Sequence, residues 1–154
     1  MKEFYLVLPS IRSCHNVGAM FRTADAFGVT KLFLCGYTAQ PPKPQIDKVS
    51  LGAEKWMPWK YYKSAKRCIN TLKKQGVKIV ALEQGENSIL LHKAKFTSPI
   101  ALVVGNEVEG VSPEILKLCD EVVHIDMQGQ KESLNVSVAG GIAMYEVSTQ
   151  QTNN

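Results

Sequence analysis

The sequence predicts a single α/β domain whose mainly parallel sheet is flanked by helices on both faces. Three observations carry that prediction. Short, nearly continuous apolar runs recur along the chain, as strands buried on both faces require. Segments of helical period separate them, the order that βαβ units produce. The length of 154 residues is enough for one real core, and no internal repeat divides it.

Each element follows from local chemistry. Glu3 to Leu8 forms the first strand, stopped by Pro9. Asn16 opens a helix in which Val17, Met20, Phe21, Ala24 and Phe27 share a face, and Gly28 supplies the stop. Lys31 to Leu34 is the second strand. The stretch from Gly36 to Gly52, with Pro41, Pro42 and Pro44, is expected to be a long irregular loop of functional use. Ser64 to Gln75 is an amphipathic helix closed by Gly76, and Val77 to Leu82 is a strand. Ile100 to Val104 is wholly apolar and runs directly into Gly105. Ser112-Pro113-Glu114 marks a helix start, with Ser as N-cap and Pro in the first turn, and that helix ends near Cys119. Glu121 to Ile125 gives another strand and Leu134 to Ser148 the last helix. Its Ala139-Gly140-Gly141 run is unfavourable in a helix unless a neighbour approaches very closely. Residues 1–150 form the domain, and 151–154 are expected as a disordered tail.

Hydrophobic residues make up 45% of the chain and charged residues 21%, an ordinary globular balance. Phe4 to Leu8 is too short for a signal peptide or a membrane span, and no later run is long enough. Cys14, Cys35, Cys68 and Cys119 are scattered, which fits free thiols in a reducing cytoplasm. His15, His92 and His124 have no ligand spacing with them, so no metal is expected. The net charge of +4 hides an asymmetry: Lys55, Lys60, Lys63, Lys66, Arg67, Lys73, Lys74 and Lys78 occur without one acid between Glu54 and Glu83. Interleaved with Trp56, Trp59, Tyr61 and Tyr62, they suit RNA phosphates and unstacked bases. A solvated helix face beside core-packing aromatics accounts for them equally well.

Three distant segments concentrate the polar chemistry: Asn16-Val17-Gly18-Ala19-Met20-Phe21-Arg22, Gly105-Asn106-Glu107-Val108-Glu109-Gly110, and Ser133-Leu134-Asn135-Val136-Ser137. In parallel sheets ligands bind beyond the carboxyl ends of strands, where the second and third segments fall, as does Glu83. Neither Gly-x-Gly-x-x-Gly nor a P-loop is present, which argues against a dinucleotide or nucleoside triphosphate site.

Together, Asn16, Gly18, Arg22 and Ala26-Phe27-Gly28, then Gly105, Glu107 and Gly110, then Ile125, Met127, Ser133, Leu134, Asn135 and Ser137 resemble the three motifs of the SPOUT superfamily of RNA methyltransferases, SpoU/TrmH branch. Order and spacing agree across about residues 3 to 148. The resemblance implies an α/β knot, with the C-terminal segment threaded through a loop as a deep trefoil, and a homodimer. It implies S-adenosylmethionine as cofactor, held at Leu82, Gly105, Ile125, Ser133 and Leu134. It also implies methyl transfer to a ribose 2′-hydroxyl of RNA, tRNA rather than rRNA at this size. Arg22, Asn16, Glu107, Ser133 and Asn135 are the implied catalytic residues, with Arg22 meeting the partner's cofactor. Arg22 either assists hydroxyl deprotonation or, since a guanidinium stays protonated, grips the phosphate and stabilises the alkoxide. Asn16 fits a helix N-cap as well as a site residue, and Ser133 and Asn135 fit caps as well as substrate contacts. Base methylation, as in other SPOUT branches, and a non-catalytic RNA-binding module of the same fold are the alternatives.

Overall fold

The computed structural model describes residues 2–152. Seven strands form one sheet: β1 (Phe4–Pro9), β2 (Lys31–Cys35), β3 (Trp59–Tyr62), β4 (Lys78–Leu82), β5 (Ile89–Leu90), β6 (Ile100–Val103) and β7 (Glu121–His124). Their order is β3-β2-β1-β6-β4-β7-β5, and every pairing is parallel. Leu6 pairs with Leu32 on one side and with Leu102 on the other, so the centre of the sheet is apolar throughout.

Alternation along the strands distributes this apolar character between two cores. Leu6, Leu8, Leu32, Leu34, Val80 and Leu102 face α1 (Cys14–Ala26), α2 (Pro44–Ser50) and α5 (Val136–Thr152). Val7, Phe33, Ile79, Ala101 and Val103 face α3 (Ala65–Lys74), with Ile115 of α4 (Pro113–Leu116) at the margin. The expected helix-covered parallel sheet is therefore the observed one. All four cysteines are free, and a hydrogen bond with Cys35, reinforced by burial, pushes the Cys68 thiol up. Among the described residues no helix is long and apolar enough to cross a membrane.

Several element boundaries differ from the expectation, each for a physical reason. Helix α1 begins at Cys14, capped by Ser13, whose side chain accepts from the Asn16 N–H at 3.1 Å. Asn16 is thus not the N-cap but a buried first-turn residue. The Gly36 to Gly52 stretch is not wholly irregular, because Pro44 starts α2 rather than breaking it; a first-turn proline lacks only an N–H that the helix leaves free. Helix α4 is shorter than expected, and Ile89–Leu90 is an edge strand too brief to show a period. Helix α5 starts at Val136 and continues to Thr152, with Gln151 buried, so the first half of the expected tail is helical. Residues 153–154 lie outside the described residues.

Of the two glycines in the run expected to need close approach, Gly140 meets it and Gly141 does not, while Gly18 meets it without having been singled out. A Cβ on Gly140 of α5 would lie 2.9 Å from Met20 Cε and 3.0 Å from its Sδ. At Gly18, a Cβ would fall 2.6 Å from the Ile46 carbonyl oxygen and 3.0 Å from Val49 Cβ, so α1 and α2 touch through it. At Gly141, the nearest atom, Thr23 Cγ2, would be 3.5 Å away, an ordinary contact. Opposite outcomes follow for two chemically identical changes. Gly18→Ala must move a backbone and should lose roughly 1–3 kcal/mol. Gly141→Ala should gain up to about 1 kcal/mol of helix propensity. Urea denaturation midpoints of the two variants check the difference in sign.

Candidate functional site

The loop after β6 is built by its own residues. Asn106 and Gly110 exchange backbone hydrogen bonds of 3.0 and 2.9 Å, closing the loop into a short bridge. Closure this tight needs Gly105, where a Cβ would lie 2.8 Å from Gly110 Cα, and Gly110, whose φ is 68°. Asn106 fills the turn and uses its full hydrogen-bonding capacity. Its Oδ1 accepts from the N–H groups of Val108 at 2.8 Å and Glu109 at 3.1 Å. Its Nδ2 donates to the Ser10 carbonyl and, at 2.8 Å, to the Tyr37 hydroxyl.

Two carboxylates fasten this loop to the rest of the sheet. Glu107 accepts from the Arg12 and Ser13 N–H groups, both at 2.8 Å, and from Asn16 Nδ2 at 3.1 Å. Burial alone would raise its proton affinity. The N–H groups of Arg12, of Glu107 itself and of Ser13, with the Asn16 amide, outweigh that and hold its carboxyl below the usual carboxylate range. On the other side, Glu83 at the end of β4 accepts from Val111 N–H at 2.8 Å and from Gln84 N–H at 2.8 Å. The first and second sequence segments therefore meet through the Asn16–Glu107 contact.

Beside this loop lies a cavity of about 360 Å³ beyond the carboxyl ends of β4, β6 and β7. Leu82, Gly105, Ile125, Ser133 and Leu134 all line it, as does Glu107. Val104 and Ala139 add apolar wall. Its charged lining is Glu83, Glu107, Glu109 and Glu132, and among the described residues no Lys or Arg lines it. Such a lining suits a cationic ligand and leaves a phosphate-bearing cofactor without a counter-ion. His124 also lines the cavity, with Nδ1 2.7 Å from Ser88 Oγ, although its sequence position gave it no role.

Other expected site residues are placed differently. Asn135 is exposed and sits just before α5, where its Oδ1 accepts from the Ser137 N–H at 2.8 Å and the Ser137 hydroxyl at 2.6 Å; it caps that helix. Arg22 is exposed on α1 and does not line the cavity within one protomer. The basic segment is less free than its composition implied. Lys66, Lys73 and Lys78 pair with Glu114, Asp120 and Glu121 at 3.5, 3.8 and 2.8 Å. Trp59 and Tyr61 pack against the core, and the Tyr61 hydroxyl donates to the Gly36 carbonyl at 2.7 Å. Of the four aromatics there, Trp56 alone is strongly exposed, its Nε1 donating to Asp25 at 2.9 Å. The clamping role of Asn106, Glu83 and Tyr37 was missed; a residue able to hydrogen-bond within three positions of an apolar strand's end is the available signal.

The chain matches the model of the SpoU rRNA methylase family over residues 3–145. It is 36% identical over 151 residues to a tRNA (guanosine(18)-2'-O)-methyltransferase of Aquifex aeolicus, covering 97% of this chain and 71% of that protein. It is 36% identical over 146 residues to the 23S rRNA (guanosine-2'-O-)-methyltransferase RlmB of Vibrio parahaemolyticus, but covers 59% of that protein's length and 95% of its own. Among solved structures, the methyltransferase AviRb of Streptomyces viridochromogenes in complex with AdoMet superposes with a TM-score of 0.90 at 25% identity, over 100% of this chain and 63% of that one. A structure concerning 2-OH methylation of C/U34 on tRNA superposes with a TM-score of 0.88 at 27% identity, covering 99% of both chains.

Because Glu107 has the lower pKa in the folded state, its contact contributes stability above the ordinary carboxylate value near ~4.3 and loses it as pH falls through the folded value. The Arg12 and Ser13 amides should therefore show exchange protection at neutral pH that fades in acid. In Glu107→Gln their protection should be weak throughout, and hydrogen-exchange protection factors measured from pH 7 downward check it.

Proposed function

This chain belongs to the SpoU rRNA methylase family, and from that premise we propose that it transfers a methyl group from S-adenosylmethionine to a ribose 2′-hydroxyl of tRNA. The observation that carries this reading is the cavity itself, which gathers the second and third motifs and presents carboxylates without a lysine or arginine. When bound, the cofactor supplies an electrophilic methyl on a positively charged sulfur. Leu82, Ile125 and Leu134 offer apolar and backbone contacts for its adenine, and Gly105 lets the backbone approach closely. Ser133 stands on the same wall. The choice of tRNA follows two similarities: the Aquifex aeolicus relative is a tRNA 2'-O-methyltransferase 36% identical to this chain, and the structure concerning C/U34 of tRNA superposes with a TM-score of 0.88.

Asn16 and Glu107 position the loop that borders the cofactor, and Asn135 orders the start of the helix behind it. Arg22 acts on the substrate: its planar, permanently charged fork holds the phosphate and stabilises the developing alkoxide. Its place outside its own cavity supports a site completed across a homodimer. An apolar stripe on α5 supports the same assembly, since Val138, Ile142 and Tyr145 are exposed at helical spacing beside α1, with Tyr145 stacked edge-on against Phe27. The return of α5 against α1, after residues 132–134 have lined the cavity beside the 105–110 loop, supports a C-terminal knot. Four free thiols support a reducing cytoplasm.

Labelled cofactor incubated with bulk tRNA should yield alkali-resistant dinucleotides, the mark of ribose methylation; absence of label from both tRNA and rRNA sinks the reading. Arg22→Ala and Arg22→Lys should each lower kcat by roughly 10²- to 10³-fold. Arg22→Ala and Asn135→Ala chains, each inactive alone, should recover activity when mixed and refolded together. Failure to complement would place Arg22 and Asn135 of one site on the same chain.

A further inference from the structure

Among the described residues, Tyr37 is the one exposed aromatic whose hydroxyl is committed to the site just described. It follows β2, while Asn106 follows β6, and these strands flank β1, so Tyr37 reaches across the end of β1. Its support is rigid. Thr38, buried, accepts from the Ile11 N–H and donates to the Leu8 carbonyl, both at 2.8 Å. Ser10 donates its N–H to the Cys35 carbonyl at 3.0 Å, and its own carbonyl receives Asn106 Nδ2. The hydroxyl of Tyr37 is held at 2.8 Å by a residue that lines the cavity, yet Tyr37 is 62% exposed.

A tyrosine tied down by its hydroxyl and open over its ring offers a flat apolar face in a fixed place. Beside it, a cavity lined by Glu83, Glu107, Glu109 and Glu132 repels phosphates, so a nucleotide docking here needs an uncharged contact. A base face against an aromatic ring provides one, without regard to base identity. We propose that the Tyr37 ring is the stacking platform for an unpaired base of the RNA substrate, at or beside the nucleotide that is methylated, with Asn106 as its positioning residue. This rests on the reading of the cavity as a methyl-transfer site on RNA.

The test compares Tyr37→Leu and Tyr37→Phe with the parent, using bulk tRNA and labelled S-adenosylmethionine, with cofactor affinity measured separately by calorimetry. Tyr37→Leu should raise the KM for tRNA roughly 10- to 100-fold with cofactor affinity unchanged. Tyr37→Phe, which keeps the ring and loses the anchor, should stay within a few-fold of the parent. An unchanged KM in Tyr37→Leu overturns the proposal, as does equal damage in both variants, which would assign the effect to the hydroxyl. Should the parent methylate no RNA, the functional reading fails. Affinity for a short unpaired oligoribonucleotide, weakened in Tyr37→Leu or not, then still decides the stacking.

Discussion

Everything at the carboxyl edge of this sheet depends on one carboxylate. Glu107 gathers the N–H groups of Arg12 and Ser13 and the amide of Asn16, joining positions some 90 residues apart in the chain. Hydrogen bonds to a charged acceptor contribute roughly 1.5–3 kcal/mol each, well above neutral ones. They also satisfy donors at the start of α1 that no helical carbonyl reaches. The first helix and the cavity-lining loop consequently behave as one body. Glu83 secures the far end of the same loop, so Gly105 to Val111 is held from both sides.

The sheet was legible because its rules are local. Leu6, Val7 and Leu8 alternate between two cores, and every expected strand is found within a residue or so of its place. What went unread was the edge strand Trp59–Tyr62, whose lysine breaks the apolar run, and the punctuation between elements. Pro44 reads as a breaker although a first-turn proline is compatible with a helix, and Asn16, which fits a cap and a site residue equally well by sequence, yields the cap to Ser13 three residues earlier. The five residues that the resemblance assigns to the cofactor line one cavity, so the sequence brought them together correctly. Glu83 was read at a strand end and Tyr37 in a loop expected to be functional, but not their pairings, which lie with partners 28 and 69 residues away. Nothing in local composition states such a pairing.

Aromatic residues in the basic segment show how composition misleads. Trp59 and Tyr61 alternate inward along β3 and pack on the core, while Lys60 and Tyr62 point to the other face, the ammonium 5.0 Å from the ring centroid. A strand period imposed on a mixed segment sorts its residues by face. Tyr62 packs against the second core, so three of the four aromatics that suited RNA are withdrawn, and the exposed ring beside the cavity comes instead from the turn after β2.

The same geometry limits how a hydroxyl proton can leave. Glu107 is the carboxylate best placed by motif, yet its oxygens are occupied by backbone and amide donors that favour its ionised form and depress its basicity. Glu83 is likewise occupied, by Val111 and Gln84 N–H groups. Both act as fasteners rather than as bases. A permanently charged group to stabilise the developing alkoxide is not supplied by the cavity wall, since no lysine or arginine lines it among the described residues. In the proposed reaction that charge falls to Arg22, and its exposure on a helix beside an apolar stripe agrees with the proposal of a site that two protomers complete.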